Sequence, residues 1–267
     1  MPSPLASQPR TFAQAPPSTD PRFDRDRFFL KQKLLSINEN YKVHGDGDEV
    51  LLHVRRPAKF FQNLMATGVA AVGILVAVMV GVGVGFTVSG VAGVIAGLVV
   101  GLALGAAAVI AGIALSPLRE LLFCRDERLS DLALHVSQDG KFQFPYAVFT
   151  LRDSNQAVLC TFRKHVLWDI LRRRWTVESV DGMQRWLVQE DSWMFALLRR
   201  FAPDLIAVFL RTNFIFSTSD GKKLGEFNRK LSFRDSYVLD MTADPQRSFD
   251  RRIAVAMGVL LDTGERR

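Results

Sequence analysis

The side chains that most often do chemistry are dispersed along this sequence instead of forming a catalytic pattern. Four histidines share no spacing typical of metal ligands: His44, His53, His135 and His165. The chain has no G-x-S-x-G nucleophile motif, no phosphate-binding loop and no zinc-type cysteine pair. Its two cysteines, Cys124 and Cys160, are explained as small apolar residues in strands. The sequence therefore predicts a protein that is not an enzyme and needs no cofactor.

Basic residues beside apolar runs are the second group of chemical interest. The chain has 34 Lys and Arg against 27 Asp and Glu, a net charge of +7. Two clusters follow runs that contain tryptophan: Arg172, Arg173 and Arg174 after residues 165–171, and Arg199 and Arg200 after residues 193–198. Such clusters suit the headgroup region of an anionic leaflet, and a solvated rim around core aromatics explains them equally well. A nucleic-acid site needs a stacking platform with interleaved cations, so no nucleic-acid partner is expected.

The sequence also contains a long neutral tract. Residues 60–118 contain no charged side chain, and Lys59 and Arg119 bound them. One charged residue at the centre of a membrane helix costs roughly 2.5–3.5 kcal/mol, and about 20 apolar residues cross a bilayer. As a single helix the tract would be about 85 Å long, which is too long for one crossing. We therefore predict two transmembrane helices, at residues 63–85 and 90–115, with the turn at residues 86–90.

Cations flank both ends of this tract. Arg55, Arg56 and Lys59 precede it, and Arg119 follows it. Positive flanks mark the cytoplasmic side of a membrane. We therefore expect an integral membrane protein whose two termini and remaining chain are cytoplasmic.

Small residues recur at every fourth position within the tract. The glycines assigned to helix packing are Gly73, Gly81, Gly85, Gly93, Gly97, Gly101 and Gly105. Glycine lets helix backbones approach closely, which stabilises helix pairs in lipid. Two partners stay open at this point: the two helices of one chain, or helices of neighbouring chains in a homo-oligomer.

Strand patterns fill most of the remaining sequence. Strand–turn–strand units are predicted at residues 40–54, 146–162, 175–188 and 214–227. The turns at Asp181-Gly182 and Asp220-Gly221 predict positive φ at both residues of each pair. A meander of this kind is best protected by closing into a barrel, since closure removes its edges.

The last segment is predicted as a helix. Asp250 lies near its start, residues 253–261 are all apolar, and Gly264 is expected to stop it. A helix that is apolar on every side belongs in a core or in lipid, and this one is too short to cross a bilayer. We therefore expect it inside the barrel.

Two segments carry a family resemblance. FFLKQKLLS at residues 28–36, followed by Tyr41 and the turn at residues 45–48, resembles the opening of LURP-one-related and phospholipid scramblase-like domains. DSYVLD at residues 235–240, followed by Asp250 and the apolar helix, resembles their ending. Both belong to the Tubby C-terminal-like group. The resemblance implies a closed β-barrel of about twelve strands around a buried C-terminal helix, here interrupted by the membrane hairpin.

The same resemblance implies calcium. Scramblase-like relatives are linked to calcium through acidic residues before the final helix, and here the weak candidates are Asp235, Asp240 and Asp244, with Asp250 after them. Calcium takes six to eight oxygens at a compact site. Spacings of five, four and six residues fit that site poorly, so capping and turn roles are favoured.

Together these patterns give a domain plan and two functions. Residues 1–22 are expected to be a disordered tail, residues 23–59 and 119–262 the barrel, and residues 60–118 the membrane hairpin. The expected function is that of a membrane-anchored, scramblase-like barrel protein that binds or redistributes phospholipid at the cytoplasmic face. The alternative is a structural or scaffold membrane protein that oligomerises through its glycine-lined helices and transports no lipid.

Overall fold

The chain forms two compact units. The computed structural model describes residues 20–32, 40–57, 60–88, 90–166, 173–191, 213–230 and 236–265. One unit contains a pair of long helices within residues 58–119, together with residues 140–142. The other contains twelve strands and a third helix.

The twelve strands form a closed antiparallel barrel. Each strand pairs with its neighbours in sequence, and β1 pairs with β12 to close the ring. This confirms the predicted closed barrel of about twelve strands. The bounds are β1 Arg27–Gln32, β2 Asn40–His44, β3 Val50–Arg55, β4 Glu120–Cys124, β5 Leu132–Gln138, β6 Tyr146–Asp153, β7 Val158–His165, β8 Arg174–Ser179, β9 Arg185–Glu190, β10 Asn213–Thr218, β11 Lys223–Lys230 and β12 Ser236–Asp240.

Alternating side chains build the core of this barrel. Phe149, Phe162, Val177 and Trp186 stand opposite one another on four successive strands, and all four are buried. Successive side chains of a strand point to opposite faces, so each strand contributes about every second residue to one apolar core.

Four hairpins share one turn geometry. The residues with positive φ are Asp48, Gln156, Gly182 and Gly221, at 60°, 64°, 69° and 89°. In the β8–β9 hairpin, Gly182 N–H donates to the carbonyl of Ser179, so Gly182 follows the turn instead of lying inside it. The prediction of positive φ at both residues of Asp-Gly was therefore wrong, because each turn ends at a single left-handed residue. Three of these loops contain three residues, and the β8–β9 loop contains four, since Ser179 N–H donates to the carbonyl of Gln184.

The C-terminal helix α3 spans Arg251–Glu265. Asp250 caps it as predicted, since its carboxylate accepts a hydrogen bond of 2.8 Å from Arg252 N–H. The helix continues one residue past the predicted stop at Gly264. Residues 251–263 are buried, and α3 contacts β1, β5, β7 and β12. At Gly258 a Cβ would lie 3.2 Å from the ring of Phe227, so glycine permits this close approach.

The paired helices are α1, Phe60–Thr87, and α2, Gly90–Leu115. Helix α1 begins three residues before the predicted span and ends two residues after it, and Val88 N–H still donates to the carbonyl of Val84. Both helices are long and apolar enough to cross a membrane. Their large side chains lie on the surface of this unit: Leu75 is 61% exposed and Leu102 is 73% exposed.

The barrel unit begins earlier than predicted. Asp20 caps a short 3-10 turn at Pro21–Phe23, and Phe23 is buried in the barrel core. Arg125 Nε donates to the Asp20 carboxylate at 2.8 Å. Residues 20–22 therefore belong to the barrel and not to the predicted tail, whose residues 1–19 lie outside the described part of the chain.

Candidate functional site

Strand direction gives the barrel two distinct ends. Because neighbouring strands are antiparallel, chain connections fall alternately at one end and the other. One end, here called the turn end, holds residues 45–49, 125–131, 154–157, 180–184, 219–222 and 241–250. The opposite end is here called the insertion end, and its described residues outside the helical pair are 56–57, 116–119, 139–145, 166, 173 and 191. The helical pair is therefore inserted at the end that carries most of the longer connections.

The two ends carry opposite charge. Connections at the turn end contain four basic residues, Arg125, Arg128, Lys222 and Arg247, against ten acidic ones: Asp46, Asp48, Glu49, Asp126, Glu127, Asp131, Asp181, Asp220, Asp244 and Asp250. Within the described residues, connections at the insertion end contain four basic residues, Arg56, Arg119, Lys141 and Arg173, against two acidic ones, Asp139 and Asp191. The described connections therefore carry a net negative charge at the turn end and a net positive charge at the insertion end.

Five of the nine predicted membrane-contact residues lie at strand ends or in connections of the insertion end. Arg55 ends β3, Arg56 follows it, Arg119 precedes β4, and Arg173 and Arg174 lie at the start of β8. Arg55, Arg119 and Arg174 are exposed, whereas Arg56 and Arg173 are half-buried. Four other predicted residues lie outside the described part of the chain: Lys59, Arg172, Arg199 and Arg200. These five residues, up to 119 positions apart in the sequence, share one end of the barrel without being neighbours, since β3 and β8 are five strands apart in the ring.

Two cations near this end stack on aromatic rings. The guanidinium of Arg163 lies 5.0 Å from the centroid of the Tyr146 ring, and the amine of Lys164 lies 5.1 Å from that of Trp175. His165 meets Tyr146 edge to face at 4.8 Å. Arg163 and Tyr146 were not among the predicted site residues. The sequence contains no local pattern that joins them, because their contact depends on the register that places β6 beside β7.

The aspartates proposed for calcium act as caps and ion-pair partners. The Asp240 carboxylate accepts hydrogen bonds from Thr242 and lies 3.0 Å from Arg27 Nε. Asp244 caps residues 248–249, and Asp250 caps α3. Asp235 lies outside the described part of the chain. Within the described residues no group of three or more His, Cys, Asp or Glu is arranged to hold a metal ion.

A buried ion-pair network lies at the turn end. The side chain of Arg251 is 3% exposed and that of Asp244 is 2% exposed, and Arg251 Nη1 donates to Asp244 Oδ2 at 2.9 Å. Arg251 Nη2 donates to Asp26 at 2.8 Å and to the carbonyl of Asp244 at 2.8 Å. Burial alone would raise the pKa of Asp244, but hydrogen bonds from Phe249 N–H, Arg251 and Ser248 hold it below its usual range.

The predicted packing glycines divide into two groups. A Cβ would lie 2.5 Å from a side chain or 2.4–2.8 Å from a backbone oxygen of the facing helix at Gly73, Gly81, Gly93 and Gly97. At Gly85, Gly101 and Gly105 the nearest such contact is 3.4–4.0 Å, an ordinary van der Waals distance. Close packing of α1 on α2 therefore requires the first group but not the second. Gly112, which the sequence reasoning missed, belongs with the first because a Cβ would lie 2.7 Å from that of Ala70.

A groove of about 790 Å³ runs along the helical pair. It is lined by apolar side chains and by five glycines: Gly81 and Gly97 of the first group, and Gly85, Gly101 and Gly105 of the second.

No similar protein was found for this chain. The sequence matches no protein-family model and no curated protein, and the fold matches no solved structure.

Proposed function

We propose that α1 and α2 anchor the protein in a membrane and that the barrel works at the cytoplasmic face, with both termini on that side. The supporting features are the absence of charge across residues 60–118, the outward-facing apolar side chains and the cations on both flanks. The chain leaves the barrel after Arg55 and re-enters it at Glu120, both at the insertion end. We therefore propose that this end faces the lipid.

The proposed work of the barrel is to bind or redistribute anionic phospholipid at that surface. The observation that carries this proposal is the charge partition, with the basic end on the side where the chain enters the helical pair. A Lys or Arg near an anionic leaflet contributes about 1 kcal/mol. The resemblance to LURP-one-related and scramblase-like domains points the same way.

The Tubby-like arrangement belongs to the same proposal. Helix α3 contacts strands on well-separated parts of the ring, β5 and β7 as well as β1 and β12, and shares one core with them. We propose that it threads the barrel. A filled interior leaves no channel for a lipid, so lipid is handled at the outer surface of the insertion end.

A flipping assay tests this proposal. Purified protein in vesicles with anionic lipid is expected to accelerate the exchange of a fluorescent phospholipid between leaflets. Replacing Arg55, Arg56, Arg173 and Arg174 with glutamine is expected to lower the rate about tenfold or more, since about 1 kcal/mol per cation is removed. The matched control replaces Arg128, Arg185, Lys222 and Lys223 near the turn end, and it should retain the wild-type rate.

Calcium is the remaining arm of that assay. Asp240 and Asp244 already engage Arg27 and Arg251, so we expect equal rates with calcium and with a chelator. If vesicles with the protein exchange lipid no faster than protein-free vesicles, both with calcium and with a chelator, redistribution is rejected. If the protein, purified from nanodiscs of mixed lipids, retains no more anionic lipid than the bulk mixture contains, lipid binding is rejected as well.

A second candidate function is a scaffold that oligomerises through its helices. The observation that favours it is the group of Gly85, Gly101 and Gly105, which line a groove although the packing of α1 on α2 does not require glycine there. Small residues let a further helix approach closely in lipid. A second copy of the helical pair would then occupy the groove.

Leucine substitution separates this candidate from simple packing within one chain. Gly105→Leu is expected to reduce the oligomer to a monomer, as measured by cross-linking in membranes and by particle mass in detergent. Gly83→Leu is the control, because a Cβ there has no heavy atom within 4 Å and Gly83 does not line the groove. A wild-type protein that is monomeric by both measurements would exclude the scaffold function.

A further inference from the structure

An apolar patch stands on the surface of the barrel unit at the insertion end. Phe144 is 69% exposed, Tyr146 is 44% exposed and Val166 is 37% exposed. Val166 N–H donates to the carbonyl of Pro145 at 3.0 Å, which ties the end of β7 to the β5–β6 loop. These three residues are here called the aromatic patch. A large, exposed apolar patch on a soluble surface marks an interaction site.

The position of the patch within the barrel is specific. In the described strands and the described loops that join strand to strand, three other large apolar side chains are comparably exposed: Phe142, and Val50 and Met183, which lie singly at the turn end. The aromatic patch instead lies at the end where β3 leads into α1 and α2 leads into β4. Phe142, in the same loop as Phe144, is 59% exposed.

Cations border the aromatic patch. The guanidinium of Arg163 lies over the ring of Tyr146, and it also pairs with Glu178 at 3.2 Å. Arg174, at the start of β8, is exposed at the same end. An aromatic body with cationic neighbours matches the interface between lipid headgroups and acyl chains, where Tyr is enriched and Arg meets phosphate.

We infer that Phe144, Tyr146 and Val166 insert into the headgroup region of the leaflet that anchors the helical pair, with Arg163 meeting the lipid phosphates. This inference rests on the proposed membrane location and adds the side chains that contact lipid. The occupant is an anionic lipid surface, because the patch shares its end with the basic connections and with the strand ends that lead into the apolar helices.

The test places one fluorescent label at a time in the full-length protein, reconstituted in nanodiscs with anionic lipid. Phe144→Cys carries the reporter, and Met183→Cys, which is 84% exposed at the turn end, is its matched control. The native thiols of Cys124 and Cys160 are buried, and burial raises the pKa of both, so the introduced thiol is labelled selectively. Lipids spin-labelled near the headgroup serve as the quencher.

The label at residue 144 is expected to shift to shorter wavelength and to lose at least half of its emission to the quencher, whereas the label at residue 183 should do neither. Emission at residue 144 that the spin-labelled lipid leaves unchanged would overturn the inference. A wavelength shift there without quenching would overturn it too, because it would mean that protein covers the patch.

A third label distinguishes failure of this inference from failure of the proposed function. Leu75→Cys lies in the middle of α1 and is exposed on the helical pair, so lipids spin-labelled deep in the acyl chain should quench it. Quenching at residue 75 without quenching at residue 144 would reject the patch alone. Absence of quenching at residue 75 would reject the membrane location on which both proposals depend.

Discussion

Replacing Arg251 with alanine is expected to destabilise the protein by about 3–5 kcal/mol, because it leaves the carboxylate of Asp244 buried without its cation. Asp244 is 2% exposed and cannot recover the lost interaction from water. The same substitution removes donors to the carbonyls of Met241, Asp244 and Phe249. Thermal and urea unfolding of the full-length protein in detergent, followed by tryptophan fluorescence, measures the loss.

Arg27→Ala is the control for that experiment. Arg27 also pairs with an aspartate, Asp240 at 3.0 Å, but its side chain is 52% exposed, so its removal should cost less than about 1 kcal/mol. Equal destabilisation by both substitutions would contradict the buried network.

The stabilisation by Asp244 depends on pH. Because the pKa of Asp244 is lowered in the folded protein, its contribution to stability is present above the ordinary carboxyl pKa of about 4 and is lost as the pH falls through the lowered value. The difference in free energy of unfolding between wild type and Arg251→Ala should therefore become smaller at acidic pH.

A disulfide engineered between the two helices is expected to form almost completely. A Cβ at residue 105 would lie 4.0 Å from the Cβ of Ala77, within the range of about 3.5–4.5 Å that disulfides require. Oxidation of the Ala77→Cys/Gly105→Cys protein should give an intramolecular cross-link that a non-reducing gel detects as a mobility shift. The single variant Ala77→Cys, which cannot form this disulfide, gives the mobility without the cross-link.

Adding Gly97→Leu to that pair should abolish the cross-link. A Cβ at residue 97 would lie 2.4 Å from the carbonyl oxygen of Gly81 and 3.0 Å from the backbone nitrogen of Gly85, so leucine forces the helix backbones apart. Gly83→Leu, added instead, has open space around its Cβ and should leave the cross-link intact. Retention of the cross-link with Gly97→Leu would show that the helices do not pack through this glycine.

The main elements of the fold follow from local sequence signals. Fifty-nine residues without charge predicted the two helices, because burying charge in an apolar medium is costly. Turn residues between alternating runs predicted four of the hairpins, and the edge problem of a long meander predicted closure. Local detail was less secure: Asp181 lies outside the left-handed region, since more than one turn geometry accepts Asp-Gly.

The site depends on relations that no local pattern contains. Arg251 is paired with Asp26, 225 positions earlier, whereas the apolar run that predicts the C-terminal helix starts only at Ile253. The basic residues of the insertion end are assigned to one end only when the direction of every strand is known. Nothing in the local sequence distinguishes Phe144 from other loop residues, because its exposure and its neighbour Val166 depend on the pairing of β6 with β7.

The closing seam of the ring has a consequence for how the protein is made. Arg27 on β1 meets Asp240 on β12 across 213 positions of sequence, so the ring stays open until nearly the whole chain has left the ribosome. The helical pair, at residues 60–115, is synthesised well before that moment. With the proposed membrane location, the helical pair is available for insertion before the barrel can close, and β1 to β3 lack their closing partner β12 until the end of synthesis.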